Sequence, residues 1–267
     1  MTVVGGIIKG DFQRFKSAIK KVADGGGIVT HVYIYSPGGS VDEAIKIGRL
    51  ISRLAISTNA PGYNPQKPEE RYCNFREHTT NTQFTDHKWY YNKYSRTGNR
   101  KCNCASACFL IWAAGARRAG NYLGVHRTFF KPESFKKDSY QVARKRYVRM
   151  RRVVENYLEE MNVPNLVVDT MFSIGSNKIE PLAPNFVNIL QGGPALDEYL
   201  RAHCPTETLI RDGHKTALEA LKSVGVKNKA SIAKAEKAYN DAYVSACRCE
   251  IKVRRDIFKA AWAKEAS

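Results

Sequence analysis

Apolar and polar residues follow two different periods along the first 56 residues of the chain. Apolar runs at residues 3–8 and 28–35 predict strands. Each run is followed by a stretch in which apolar residues recur at helical spacing, at residues 10–22 and 40–54. Strands that alternate with helices in this way are typical of an α/β domain.

Both predicted helices carry signals for their start. The first has one apolar face, formed by Phe12, Phe15, Ile19 and Val22. Asp11 follows a glycine and is the predicted N-cap of this helix. The second helix opens with Ser40 and has Glu43 three residues later, which predicts a capping box. The start of the second helix is therefore well defined.

The pattern breaks between residue 57 and about residue 103. This segment is polar, rich in Asn, Thr, Tyr, Lys and Arg, and contains prolines without any sustained period. Such a composition between two regular regions is typical of a loop insertion. We therefore predict a polar insertion within the α/β domain.

Regular structure resumes at residue 104. Residues 104–118 predict a short apolar helix that ends near Gly115, and residues 121–127 predict a strand that ends on a histidine. A longer helix is expected over residues 139–161. Its apolar face is formed by Ala143, Tyr147, Met150, Val154, Tyr157 and Met161, and its opposite side is basic.

The chain from about residue 204 is rich in Ala and Lys and predicts a helical hairpin. It holds few large apolar residues, so we expect it to pack on the main domain or on a neighbouring subunit. The predicted organisation is an α/β domain over residues 1–203, with an insertion at about 57–103, and a helical C-terminal extension over residues 204–267.

Two consecutive glycines, Gly38 and Gly39, lie between a predicted strand and a predicted helix. Glycine reaches backbone conformations that other residues avoid, which lets N–H groups approach a ligand oxygen. Such a turn can form half of an oxyanion hole. The alternative is an ordinary tight connection between a strand and a helix.

A serine and a histidine occupy suggestive positions further along. Ser106 is flanked by small residues at the start of the apolar helix, where the N–H of Ala107 could stabilise an oxyanion. The alternative is that Ser106 only caps the helix. His126 ends a short strand, and a lone histidine there could be structural or catalytic.

Taken together, three segments carry a resemblance to a known family. SPGGSV at residues 36–41, CASACFLIWAAGARR at residues 104–118 and LGVHR at residues 123–127 occur in this order. The chain resembles the proteolytic subunit of the Clp protease, and especially the Clp-protease-like proteins of bacteria with a Cys-x-Ser-Ala-Cys nucleophile segment. The resemblance covers about residues 3–56 and 103–190. It implies the fold shared by Clp proteases and crotonases, a superhelix of strand-strand-helix units.

The resemblance also implies a serine peptidase with a catalytic triad. Ser106 matches the nucleophile, and His126 matches the general base. The orienting acid of the family follows the long helix in an Asp-Thr pair, which Asp169 matches here. Because the residues around Asp169 depart from the family pattern, Asp138 and Asp197 remain alternatives for this role.

The remaining parts of the site are implied in the same way. The N–H groups of Gly39 and Ala107 match the oxyanion hole, and Gly38 supports the turn. The expected reaction is peptide hydrolysis through an acyl-serine intermediate, which needs no cofactor and no metal. The resemblance implies a homo-oligomer formed through the long helix, a peptide or protein substrate, and a separate unfoldase or adaptor as a partner for energy-dependent proteolysis.

Charge favours anionic partners without fixing a function. The 267 residues include 43 basic and 25 acidic side chains, for a net charge of +18. Basic residues crowd one region, namely Lys136, Lys137, Arg144, Lys145, Arg146, Arg149, Arg151 and Arg152. We interpret them as a solvated helix face, since no nucleic-acid module accompanies them. A catalytically silent scaffold that binds nucleic acid or an anionic membrane surface is the alternative.

Two other activities of the same superfamily stay open. A crotonase-type enzyme would polarise an acyl-CoA thioester, with the CoA phosphates meeting Arg117, Arg118 and Arg127. A Ser-Lys dyad would use Lys131 as the base of Ser106.

Seven cysteines form an odd set. One hypothesis is that Cys204 pairs with Cys247 or Cys249 and so pins the tail, and the alternative is that the cysteines are reduced thiols. A group in or beside the insertion, Cys73, His78, His87, Cys102 and Cys104, matches no zinc-binding spacing, and we expect no metal there. The chain starts without the zones of a secretory signal. The expected location is the cytoplasm or periplasm of a bacterium.

Overall fold

The computed structural model describes residues 1–64, 67–72, 103–130, 132–205, 207–223 and 229–266. The chain divides into two compact units, Met1–Gly193 and Pro194–Ser267. Lys131 and the candidate metal ligands Cys73, His78, His87 and Cys102 lie outside the described residues.

The first unit alternates strands and helices. Its elements are β1 (Thr2–Val4), α1 (Asp11–Asp24), β2 (His31–Tyr35), α2 (Val41–Arg53), β3 (Ser57–Asn59), β4 (Gly62–Asn64), β5 (Lys67–Tyr72), β6 (Cys104–Ala105), α3 (Ala107–Ala113), β7 (Arg118–Ala119), β8 (Leu123–Val125), a 3-10 turn (Pro132–Phe135), α4 (Tyr140–Glu160), α5 (Asn165–Ser173), β9 (Glu180–Pro181) and α6 (Pro184–Leu190).

Parallel strands form the main sheet of this unit. They lie in the order β1-β2-β3-β7, and every pairing between neighbours is parallel. Val32 and Ile34 of β2 are completely buried, as expected of a parallel sheet covered by helices. The mixed α/β class predicted from the sequence is therefore confirmed. Strand β3 lies at the start of the segment predicted as an insertion, yet it is an inner strand of this sheet.

Two smaller sheets accompany the main one. In the first, β6 pairs with β8 in parallel and β8 pairs with β9 in antiparallel orientation. In the second, β4 and β5 form an antiparallel hairpin at the beginning of the polar segment. Isolated bridges join Ile7 to Gly39 and Ser36 to Cys104. These bridges bring the loop after β2 next to the start of α3.

The predicted N-cap of α1 is wrong by one residue. Gly10, in a left-handed conformation with φ of 93°, is the N-cap, and Asp11 is the first helical residue. The carboxylate of Asp11 accepts a hydrogen bond from the Ile8 N–H instead. Asp11 therefore closes the turn before the helix, and glycine supplies the backbone conformation that the turn requires.

The predicted capping box of α2 is confirmed on one side. Ser40 Oγ accepts a hydrogen bond from the Glu43 N–H, at 3.4 Å. The Glu43 carboxylate accepts from the Phe12 N–H of α1, at 2.8 Å, whereas the Ser40 N–H donates to the Ile7 carbonyl. The second half of the box is thus replaced by a link between two helices.

Helix α4 packs on the core through its C-terminal half. Val154, Tyr157 and Leu158 are completely buried, and Tyr157 Oη donates a hydrogen bond to the Leu110 carbonyl of α3. Between Ser139, whose Oγ caps the helix, and Val154 no described residue is buried. The apolar face predicted over residues 139–161 is therefore fully buried only at its end.

The second unit is helical. It consists of α7 (Pro194–His203), α8 (Glu207–Ser223) and α9 (Lys229–Ala266). A disulfide joins Cys204 to Cys249, one of the two pairings predicted, and Cys247 is left as an exposed thiol. In neither unit does a described helix combine the length and the apolar character that a bilayer span requires.

Candidate active site

Ser106 lies at a sharp turn between β6 and α3. Its backbone angles, φ 58° and ψ −123°, are those of the first central residue of a type II′ turn, a conformation that favours glycine. A non-glycine residue held in such a region costs about 1–3 kcal/mol and persists only where its surroundings fix it. The position of Ser106 at the start of this helix was predicted from the sequence, but its strained backbone conformation was not.

Backbone hydrogen bonds fix the turn from two strands. The Ser106 N–H donates to the Gly124 carbonyl of β8, at 2.8 Å. The Ala105 N–H donates to the Ser36 carbonyl, and the Ser36 N–H donates to the Asn103 carbonyl. The residues before Ser106 are therefore bonded to the loop after β2, and Ser106 itself is bonded to β8, the strand that His126 follows.

Of the two glycines in the loop after β2, Gly38 packs against this turn and Gly39 packs against Ile7. A Cβ atom built on Gly38 would lie 2.5 Å from Ser106 Cβ and 3.0 Å from the Ala107 nitrogen. A Cβ atom built on Gly39 would lie 2.1 Å from the Ile7 carbonyl oxygen. Both residues have positive φ, at 100° and 143°. Only glycine allows the loop to approach Ser106 this closely.

Two backbone hydrogen bonds join Ile7 to the loop that contains Gly38 and Gly39, which we call the glycine loop. The Ile7 N–H donates to the Gly38 carbonyl at 2.8 Å, and the Ser40 N–H donates to the Ile7 carbonyl at 2.8 Å. The Gly39 N–H lies between these two bonds and donates to no acceptor among the described residues, and neither does the Ala107 N–H. The two N–H groups predicted as an oxyanion hole are thus both without an acceptor in this part of the structure.

A disulfide that we did not predict surrounds Ser106. Cys104 of β6 is bonded to Cys108 of α3, with the two Cα atoms 5.2 Å apart and both residues completely buried. Ser106 is the central residue of this five-residue loop. The spacing of four between the cysteines was visible in the sequence, and it was a signal that the pair could close around the serine.

His126 follows β8 and is 95% buried, since its relative exposure is 5%. Its Nδ1 lies 2.8 Å from the Arg127 carbonyl oxygen. A carbonyl only accepts hydrogen bonds, so Nδ1 carries the proton of this bond and Nε2 is left as the basic nitrogen of the neutral ring. The ring also contacts Phe129, with centroids 5.8 Å apart.

The structure connects Ser106 and His126 through β8 but does not join their side chains. Gly124, which accepts the hydrogen bond of the Ser106 N–H, lies two residues before His126. Among the described residues, Ser106 Oγ forms no hydrogen bond to the His126 ring. Hydrogen bonds of this kind are often long in unliganded sites and form when substrate binds.

Asp169 lies on the exposed side of α5. It lines a shallow pocket together with Glu155, Glu159, Asn165 and Val168. No hydrogen bond joins Asp169 to His126 within the described residues, and the Nδ1 of that histidine is bonded to backbone instead. The Arg127 carbonyl is thus the observed partner of His126 Nδ1, where the family resemblance implies an acid.

The two alternative acids are also accounted for. Asp138 forms an ion pair with Arg146. Asp197 belongs to α7, in the second compact unit. The Asp138 carboxylate forms no hydrogen bond to His126 among the residues that the structure describes.

Arg118 forms hydrogen bonds within the first unit. Its guanidinium donates hydrogen bonds to the backbone carbonyls of Met161 and Leu190, and burial lowers its pKa. These bonds join β7 to the ends of α4 and α6. One of the three arginines considered for CoA phosphates is therefore used within the protein.

The described residues contain no group of three or more His, Cys, Asp or Glu side chains arranged to hold a metal ion. No protein-family model matches the chain, and no curated protein matches it either.

Proposed function

We propose that this protein is a serine hydrolase that cleaves peptide bonds through an acyl-Ser106 intermediate. The observation that carries this proposal is the position of the strained Ser106 turn beside two N–H groups, those of Gly39 and Ala107, that donate to no acceptor among the described residues. A strained serine and unused N–H donors are costly for stability alone, and they are what acyl transfer requires.

The proposed reaction gives each of these groups one role. The Ser106 hydroxyl attacks the substrate carbonyl while His126 Nε2 takes its proton. The negative charge that develops on the carbonyl oxygen is stabilised by the N–H groups of Gly39 and Ala107. His126 then gives its proton to the leaving amine, and water hydrolyses the acyl-serine by the reverse order of proton transfers.

The family resemblance extends this proposal to the fold and the assembly. The bridges from Ile7 to Gly39 and from Ser36 to Cys104 support the superhelix of Clp proteases and crotonases. On this basis the substrate is a peptide or protein, the assembly is a homo-oligomer, and a separate unfoldase or adaptor delivers folded substrates.

Labelling with a fluorophosphonate probe tests the reaction. The folded wild-type protein should be labelled at Ser106, as mapped by mass spectrometry, and Ser106→Ala and His126→Ala should abolish labelling. Matched controls are Ser245→Ala on α9 and His203→Ala on α7, which lie in the second unit and should label like the wild type. A folded wild-type protein that resists the probe would contradict the proposal.

A second function, binding to nucleic acid, is favoured by one observation. Lys145, Arg149 and Arg152 are exposed and repeat at helical spacing, and none of them forms an ion pair within the described residues. We call this set the basic stripe. Three unpaired cations in a row attract phosphates at low salt. Salt-dependent retention of DNA by the Ser106→Ala protein, lost on changing the basic stripe to glutamines, would establish this function independently of hydrolysis.

A further inference from the structure

The disulfide between Cys104 and Cys108 encloses the proposed nucleophile. Cys104 is the first residue of β6 and Cys108 is the second residue of α3, so the covalent bond spans the strained residue between them. Both cysteines are completely buried. The disulfide therefore constrains the buried backbone that joins β6 to α3.

Ser106 needs such a constraint because its conformation is unfavourable on its own. With φ at 58°, the residue would relax toward negative φ if its neighbours allowed it. Rotation about the N–Cα bond of Ser106 would turn both the serine side chain and the Ala107 N–H. The strand side is held by the hydrogen bonds of Ser36, and the disulfide transmits that position to the first turn of α3.

The body of α3 does not depend on the disulfide. Tyr157 Oη donates to the Leu110 carbonyl, and Thr58 Oγ1 donates to the Trp112 carbonyl, both at 2.7 Å. The Trp112 indole N–H donates to the Ala119 carbonyl. These contacts begin two residues after Cys108 and fix the rest of the helix to the core.

We propose that the Cys104–Cys108 disulfide is a positioning element for Ser106, so that hydrolysis requires this bond to be oxidised. The proposal rests on the proposed function. Loss of the bond should leave the core folded and let the turn relax. Reduction by a dithiol converts the disulfide to two thiols while the reductant is oxidised to its own disulfide, and reoxidation reverses the change.

The test compares two pairs of cysteine substitutions. Cys104→Ala with Cys108→Val keeps the buried site apolar, and we expect its fluorophosphonate labelling rate to fall at least about tenfold, because small displacements of a nucleophile are costly. Cys204→Ser with Cys249→Ser removes the other disulfide, in the second unit, and should label within twofold of the wild type. With an ester substrate, kcat should fall while KM stays unchanged.

A second measurement covers the case in which the first pair does not fold. The wild-type protein is reduced with dithiothreitol until thiol counting shows the buried bond open, its circular dichroism is recorded, and it is then reoxidised. Labelling should fall on reduction and return on reoxidation. If a folded protein without the bond labels within twofold of the wild type, the positioning role is overturned and the hydrolase proposal stands. If the oxidised wild type does not label at all, both fall.

Discussion

A methyl group at Gly38 would place its carbon 2.5 Å from Cβ of Ser106. This distance is far below van der Waals contact, and Gly38 also has φ of 100°, which disfavours any side chain. The loop at Gly38 and the turn at Ser106 therefore have to fit each other. A change in one displaces the other.

Replacing Gly38 by alanine should consequently remove activity. We expect Gly38→Ala to slow fluorophosphonate labelling of Ser106 at least about a hundredfold, because the added carbon displaces both the serine and the Ala107 N–H. The matched control is Gly213→Ala in α8, where a new Cβ meets nothing within 4 Å. The control should keep the wild-type labelling rate. Normal labelling of a folded Gly38→Ala protein would contradict the proposed site.

Ser106 should reveal its strain when it is replaced. Because glycine accepts φ of 58° and alanine does not, Ser106→Gly should be more stable than Ser106→Ala by about 1 kcal/mol or more. Chemical denaturation of the two variants measures this difference. Equal free energies of unfolding for the two variants would mean that the turn relaxes at no cost. Strain at Ser106 would then no longer support the proposed function.

Asp169 is expected to contribute little to the reaction. Asp169→Asn should change the labelling rate by less than about twofold, because the Nδ1 of His126 is bonded to the Arg127 carbonyl. Asp138→Asn and Asp197→Asn test the two alternative acids in the same assay. If one of the three variants instead falls by about ten-thousandfold, as expected when a triad loses its orienting acid, that residue is the third member.

Glu43 should make stability depend on acid pH. Burial alone would raise the pKa of Glu43, but the hydrogen bond from the Phe12 N–H and the contact with Lys46 outweigh it, so the pKa lies below its ordinary value of 4.5. A lowered carboxyl pKa stabilises the folded state above pH 4.5, and this contribution is lost as the pH falls through the folded pKa.

The measurement is denaturant unfolding between pH 6 and pH 3. Glu43→Gln should show a smaller decline in the free energy of unfolding over this range than the wild type, since glutamine does not titrate. Glu236→Gln, at an exposed position of α9, is the matched control and should decline like the wild type. Parallel curves for Glu43→Gln and wild type would rule out this role.

Part of the fold could be predicted because local rules decided it. The cap at Ser40 depends only on its own side chain and the Glu43 N–H, and the structure confirms that bond. The other partner of Glu43, the Phe12 N–H, lies on a different helix and depends on packing. Asp11 was misplaced for a related reason, since the turn at Gly10 needed a positive φ that sequence spacing does not express.

Only part of the candidate site could be predicted from the sequence. Two consecutive glycines mark unusual backbone, so the sequence could suggest the loop at Gly38 and Gly39, whereas serine carries no signal for the strained backbone found at Ser106. The partner of His126 Nδ1 is a backbone carbonyl, and every residue has one, so no pattern could have pointed to Arg127. The four-residue spacing of Cys104 and Cys108 was a signal for the disulfide around Ser106, but the turn that lets it close is seen only in the folded chain.

Helix α4 is fully buried at one end only, which gives it a gradient of local stability. Its buried residues begin at Val154, so about 14 residues before that point, roughly four turns, contribute little apolar burial. Helices of that length are marginal in water without tertiary contacts. Backbone amides near Val148 should therefore exchange with deuterium far faster than those near Leu158. Any partner that covers the exposed half would be recognised first by the slowing of that exchange.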